Sequence, residues 1–182
     1  VLPLVQKLAA KYNFEFFSIG GGLGIVYNPA LASGSSTWWQ QKEAKKILTP
    51  QTYAAKLVPL LQPLGLKILL EPGRFMVGNA GILVTRVEYV KRTGKKNFVI
   101  VDAAMNDLAR PALYDAWHDF EAVEPTGERF TSNIVGPVCE TGDTFAMARD
   151  IDKVGQGDLA IFRTAGAYGA TMASTYNSRG LV

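Results

Sequence analysis

The sequence is poor in cysteine, in histidine and in net charge. Its one cysteine, Cys139, excludes an internal disulfide, and a lone thiol fits a reducing cytoplasm. One cysteine with one histidine, His118, also excludes a structural zinc site. No apolar run reaches the roughly 18 residues of a membrane-spanning helix. The chain opens without a secretory signal, P-loops and serine nucleophile elbows are absent, and nothing repeats. The net charge is +3, and the basic clusters (Lys42, Lys45, Lys46; Lys91, Arg92, Lys95, Lys96) lack the interleaved aromatics of a nucleic-acid face. The first cluster reads as a solvated helix face, and the second flanks a turn at Gly94.

What is present is an ordinary globular balance, 48% hydrophobic over 182 residues, enough for one large domain or two small ones. Near its start an apolar run, Phe14 to Ile19, ends in Gly20-Gly21-Gly22-Leu23-Gly24. That pattern predicts a buried strand emptying into a tight loop. Glycines let main-chain N–H groups approach a phosphate, and they equally make plain turns.

Around this loop, Leu4, Val5, Leu8, Ala9 and Tyr12 share one helical face. That helix lacks an N-cap, which suggests a chain beginning inside a larger protein. Residues 28–41, with Ser33, Gly34 and Ser35, read as a loop. Thr49-Pro50 opens a second helix, Thr as N-cap and Pro in the first turn, with Pro59 inside it and Gly65 as its cap. Tyr53, Leu57, Leu60, Leu61 and Leu64 make its buried face. Leu66 to Leu70 is a second short strand, ending at Glu71-Pro72-Gly73-Arg74. Helix, strand, loop twice over is α/β organisation with parallel strands, yet two strands cannot close a sheet covered on both faces.

After Gly81 the pattern changes. Ile82 to Lys91, Asn97 to Asp102, Asp119 to Val123, Ile134 to Cys139 and Leu159 to Arg163 read as strands. Asn106 to Ala116 is the only helical candidate. This predicts an antiparallel sandwich or barrel, with a domain boundary near residue 79.

Chemistry-bearing residues cluster at strand ends. Arg74 offers a planar fork for a carboxylate or phosphate, and Glu71 is either part of that site or a salt-bridge partner. Cys139 stands beside Glu140, with Asp143 three positions on. A thiol of reference pKa about 8.5 can donate a proton near neutral pH, or it is a buried structural cysteine before a turn. Arg110 and Tyr114, four apart, share a helix face and could hold a carboxylate or form a surface pair. Tyr168 follows Gly166 on a loop, as ligand contact or core edge. His118, beside Trp117, reads as structural.

Taken in order, Gly20-Gly-Gly-Leu-Gly24, Glu71-Pro-Gly-Arg74, Asp102 with Met105-Asn106-Asp107, Arg110-Pro-Ala-Leu-Tyr114, Cys139-Glu140-Thr-Gly-Asp143, Gly166-Ala-Tyr168 and Tyr176-Asn-Ser-Arg179 closely resemble the diaminopimelate decarboxylase family. That family lies in the alanine-racemase-like group of enzymes dependent on pyridoxal 5'-phosphate (PLP). The resemblance runs over almost the whole chain and matches only the family's C-terminal part. It implies an α/β plus β fold: residues 1–78 as the last strands and helices of a PLP-binding TIM (β/α)8 barrel, and residues 79–182 as a C-terminal antiparallel β-sandwich or Greek-key barrel domain, cut short at its end. By the same resemblance Gly21, Gly22, Glu71, Gly73, Arg74 and Tyr168 bind the cofactor. Arg74, Arg110, Tyr114, Glu140 and Tyr168 bind the amino-acid substrate, and Cys139 is the catalytic proton donor. A cytoplasmic homodimer with shared active sites is implied, with the Cys139–Glu140 segment reaching into the partner subunit. The implied reaction is decarboxylation of meso-diaminopimelate to L-lysine. The family's Schiff-base lysine and ring-stacking histidine match nothing here, so these residues alone are expected to be inactive, as a truncated or proteolysed piece. A related ornithine, arginine or carboxynorspermidine decarboxylase and a non-catalytic homologue are the alternatives. Glutamate after the cysteine favours diaminopimelate over ornithine, whose decarboxylases typically carry aspartate there.

Overall fold

A computed structural model describes the chain except residues 30–32, 34 and 43 and the Trp39 side chain; Gly34 of the expected loop therefore lies outside the described residues. The chain divides into two compact units, one of residues 1–25 and 36–76, the other of residues 26–35 and 77–182.

In the first unit, α1 (Leu2–Tyr12) ends at Asn13, which takes a left-handed conformation at φ 53°. Its expected apolar face holds no buried residue, and Leu4 and Tyr12 are exposed. β1 (Phe16–Ser18) pairs in parallel with β2 (Lys67–Leu69), Phe17 opposite Ile68. Between them α2 (Pro50–Leu61) starts at a reciprocal cap: Thr49 accepts the Thr52 N–H, and the Thr52 hydroxyl accepts the Thr49 N–H. Such a cap contributes about 1 kcal/mol. Pro59 lacks the N–H a helix needs, and within three residues the helix gives way to a tighter 3-10 turn at Gln62–Leu64, closed by Gly65 at φ 65°. Leu61 is buried, whereas Leu60, expected on the same face, is exposed. After β2 comes the short α3 (Gly73–Val77).

The second unit is built on six strands: β3 (Leu83–Arg92), β4 (Asn97–Val101), β5 (Phe120–Ala122), β6 (Arg129–Val135), β7 (Thr144–Asp152) and β8 (Leu159–Phe162), in the order β5-β8-β3-β4-β6-β7. The expectation of a purely antiparallel sheet is corrected here: β4 and β6 run parallel, Val99 opposite Ile134. A parallel pair needs a crossover, and residues 102–128, carrying α4 (Arg110–Tyr114) and β5, supply it. The sheet curls until its edge strands meet. There the link is a side chain, the Ala122 N–H donating to Asp152 Oδ2 at 3.1 Å.

β-branched residues at alternating positions fill the interior. Val87, Val99, Val101 and Ile134 have no exposed surface, and Phe162 packs on Phe145 with ring centroids 4.5 Å apart. The strand expected over residues 134–139 ends instead at Val135, which leaves Cys139 in a turn. β7 was not legible, because Ala, Met, Arg and Asp fill it. It bulges at Ala148 (φ 46°), whose N–H donates to Asn133 Oδ1 at 2.7 Å. The expected helix over 106–116 shrinks to α4, stopped by Asp115 at φ 51°. Among the described residues no helix is long and apolar enough to cross a membrane.

Candidate active site

The first unit brings the loops after β1 and β2 together. The Glu71 N–H donates to Gly20 O at 2.9 Å, and the Ser18 hydroxyl donates to Glu71 Oε1 at 2.6 Å. Glu71 is thus held by a hydroxyl, and among the described residues it makes no ion pair. Gly21 passes so close to this segment that a Cβ there would lie 2.7 Å from Glu71 O. Gly22, at φ 95°, turns the loop. Among the described residues no hydrogen bond engages the Gly21 or Gly22 N–H groups. Two adjacent unengaged amides on an exposed glycine turn fit an anion such as a phosphate. Gly73 is exposed and Arg74 half-buried, both on α3 next to Glu71.

The second unit holds the other expected residues. Cys139 and Glu140 are exposed on the turn between β6 and β7. The turn is closed by main-chain bonds from Gly136 N to Asp143 O at 2.9 Å and from Asp143 N to Glu140 O at 3.0 Å. Asp143 is buried, and its carboxylate accepts the Val138 N–H and the Met105 N–H, each at 2.7 Å. Burial raises this carboxyl above its ordinary value, outweighing both N–H groups and the Arg179 guanidinium, which act the other way. Glu140 accepts the Gly142 N–H at 3.2 Å and the Tyr176 hydroxyl at 3.3 Å. Tyr176 is itself fixed by Asn106, whose side-chain amide donates to Ser174 O and Tyr176 O at 3.0 and 2.7 Å.

Arg110 and Tyr114 share α4 but meet different surroundings. Tyr114 is 65% exposed, whereas Arg110 is 7% exposed and lies over the Tyr27 ring, 4.4 Å from its centroid. Arg110 donates to His118 Nε2 at 2.8 Å. Tyr168 follows a loop tied down by the bond from Gly166 N to Gly78 O, and it is exposed, with φ 62°. Composition gave no signal for His118, Tyr27, Asn106 or the clamping role of Asp143; each depends at least in part on a contact far away in sequence.

One unit carries the exposed glycine turn and the other a curled sheet with a thiol-carboxylate turn. The family described as pyridoxal-dependent decarboxylase, C-terminal sheet domain, matches residues 14–166, and the chain belongs to it. It is 50% identical over 181 residues to the diaminopimelate decarboxylase of Neisseria meningitidis serogroup A / serotype 4A, covering 98% of this chain and 41% of that protein. It is 55% identical to that of Pseudomonas fluorescens, covering 99% and 40%. The crystal structure of diaminopimelate decarboxylase from Helicobacter pylori complexed with L-lysine superposes with a TM-score of 0.80 at 36% identity, covering 100% of this chain and 43% of that one. The chain thus spans about 40% of the length of these curated relatives.

Proposed function

We propose that the full-length protein is a PLP-dependent decarboxylase that converts meso-diaminopimelate to L-lysine and CO₂. The observation that carries this reading is the exposed Cys139–Glu140 pair on a turn pinned from beneath by buried Asp143. A thiol and a carboxylate are there presented outward on a rigid support, as a proton donor and a reader of a cationic group require.

Pyridoxal phosphate supplies an electron sink for the carbanion left when CO₂ departs. Gly21 and Gly22 hold its phosphate through main-chain N–H groups, and Glu71, Gly73, Arg74 and Tyr168 complete the cofactor site. Arg74, Arg110, Tyr114 and Tyr168 bind the substrate, the guanidinium groups taking carboxylate. Glu140 accepts from the substrate's distal ammonium, and Cys139 returns a proton to the carbon that has lost CO₂. The fold reading beyond the sheet domain is that residues 1–78 are the last segments of a TIM (β/α)8 barrel and residues 79–182 its C-terminal β domain. An apolar cavity of about 530 Å³ along α2, β1 and β2 supports further barrel segments covering that face. The working enzyme is a cytoplasmic homodimer with shared active sites.

CO₂ release by the full-length protein with PLP, offered meso-diaminopimelate, L-ornithine and L-arginine side by side, tests this. Release from diaminopimelate alone is expected. Release from ornithine or arginine would keep the cofactor and move the substrate; no release from any would overturn the enzymatic reading.

A further inference from the structure

We propose that His118 is the positioning residue of Arg110: a neutral imidazole that orients a buried guanidinium while leaving its charge for the carboxylate of the substrate. This rests on the reading of Arg110 as a substrate-binding residue.

The tautomer follows from the partners. His118 Nδ1 lies 2.9 Å from Arg163 O, and a carbonyl only accepts, so Nδ1 carries the hydrogen. His118 Nε2 lies 2.8 Å from an Arg110 nitrogen, and a guanidinium only donates, so Nε2 offers its lone pair. One neutral tautomer satisfies both contacts. A protonated ring would set N–H against N–H and cation against cation. Burial, with Arg110 and Arg149 nearby, holds the imidazole down to about 4, against Arg163 O and Asp119, which act the other way.

Arg110 is then unusual. It is buried, and among the described residues its side chain meets His118 Nε2 and the Tyr27 face and forms no ion pair with a carboxylate. A buried cation is costly unless something compensates it. Aspartate or glutamate in place of His118 would fix Arg110 equally well but would neutralise it from within. A neutral acceptor fixes one N–H and leaves the remaining donors and the charge to an incoming anion. The main chain that carries the imidazole is anchored as well. The His118 carbonyl accepts from the Arg149 guanidinium, which lies 3.7 Å over the Trp117 ring, and Trp117 Nε1 donates to Asp119 Oδ1 at 2.6 Å.

The test compares ligands that differ by one carboxylate. L-lysine and cadaverine, which lacks that group, are titrated against full-length enzyme with PLP bound, as wild type, His118→Leu, His118→Gln and Arg110→Gln. His118→Leu is expected to weaken L-lysine roughly tenfold or more and cadaverine less than about twofold, since a charge-assisted bond orients the guanidinium. For meso-diaminopimelate, KM should rise more than kcat falls. Glutamine can accept from Arg110 and donate to Arg163 O, so His118→Gln should restore most of the preference. A lysine-to-cadaverine ratio that falls in Arg110→Gln but stays at the wild-type value in His118→Leu overturns the proposal and leaves the Arg110 reading standing. A ratio unchanged in both overturns that reading and the proposal with it. If His118→Leu does not fold, the pH dependence of the ratio decides. Wild type should lose its preference for L-lysine as the pH falls toward the value at which His118 takes a proton, and His118→Gln should not. The groups facing His118 are Arg110, Tyr27, Arg149, Asp119 and Arg163, and Glu140 acts on both ligands alike. Equal pH dependence in the two proteins overturns the proposal.

Discussion

Asp143 Oδ2 accepts the Val138 N–H at 2.7 Å, across the turn that presents Cys139 and Glu140. Its other oxygen accepts from Met105, 38 residues earlier in the chain. One buried carboxylate therefore joins the turn to the segment before α4. Asp143→Ala would leave two N–H groups without partners, each costing about 1–3 kcal/mol when buried. Urea unfolding should show a loss of about 2–6 kcal/mol, and kcat should fall with it. Gly136→Ala should act similarly, because its Cβ would run into the Asp143 carboxylate.

Cys139→Ala should separate chemistry from folding. The side chain is exposed, so stability should change by no more than about 0.5 kcal/mol. Loss of a proton donor should lower kcat roughly 10²- to 10⁴-fold. An unchanged kcat in a folded variant would remove Cys139 from the reaction.

Gly21→Ala should weaken the cofactor site. The new methyl meets main-chain Glu71 O at 2.7 Å, which no side-chain rotation relieves. The β1 and β2 loops must part, at about 1–3 kcal/mol. PLP titration followed by absorbance should show weaker binding, whereas the exposed Gly24→Ala, whose Cβ would meet no atom within 4 Å, should not.

Tyr176→Phe removes the hydroxyl that donates to Glu140 and keeps the ring. The bond is exposed and long, so KM for diaminopimelate should rise only about two- to tenfold. An unchanged KM would mean that Gly142 alone orients Glu140.

His118 makes stability depend on pH. In the folded protein it takes a proton only at about 4, against about 6.5 in the unfolded chain. Between these values the unfolded chain binds more protons. Stability is therefore complete above the unfolded value and falls as the pH drops through the window, by about 3 kcal/mol in all. Urea midpoints measured across the window should fall on acidification in the wild type and less steeply in His118→Gln. Parallel curves would show that other groups set the slope.

Elements written in local chemistry were legible in the sequence. Thr49-Pro50 caps α2, Gly65 closes the turn after it, and alternating β-branched residues mark β3 and β4. The glycine loop, Glu71 to Arg74 and the Cys139–Glu140 turn could be found for the same reason, since each is a compact run of unusual residues. β7 has no local signature, because its alanines, arginine and aspartates have little strand preference; pairing with β6 holds it extended.

The sequence by itself determined the local elements and the family, because caps, turns, periodicity and ordered motifs act over a few residues. Only the tertiary structure decided that β4 and β6 run parallel, that the Asp143 carboxylate ties the turn to Met105, and that His118 lies between Arg110 and Arg163. These outcomes rest on contacts that no local pattern announces, several of them between distant segments, such as Met105 with Asp143 and His118 with Arg163. A lone histidine or a third carboxylate gains its role only from the partners that folding brings to it.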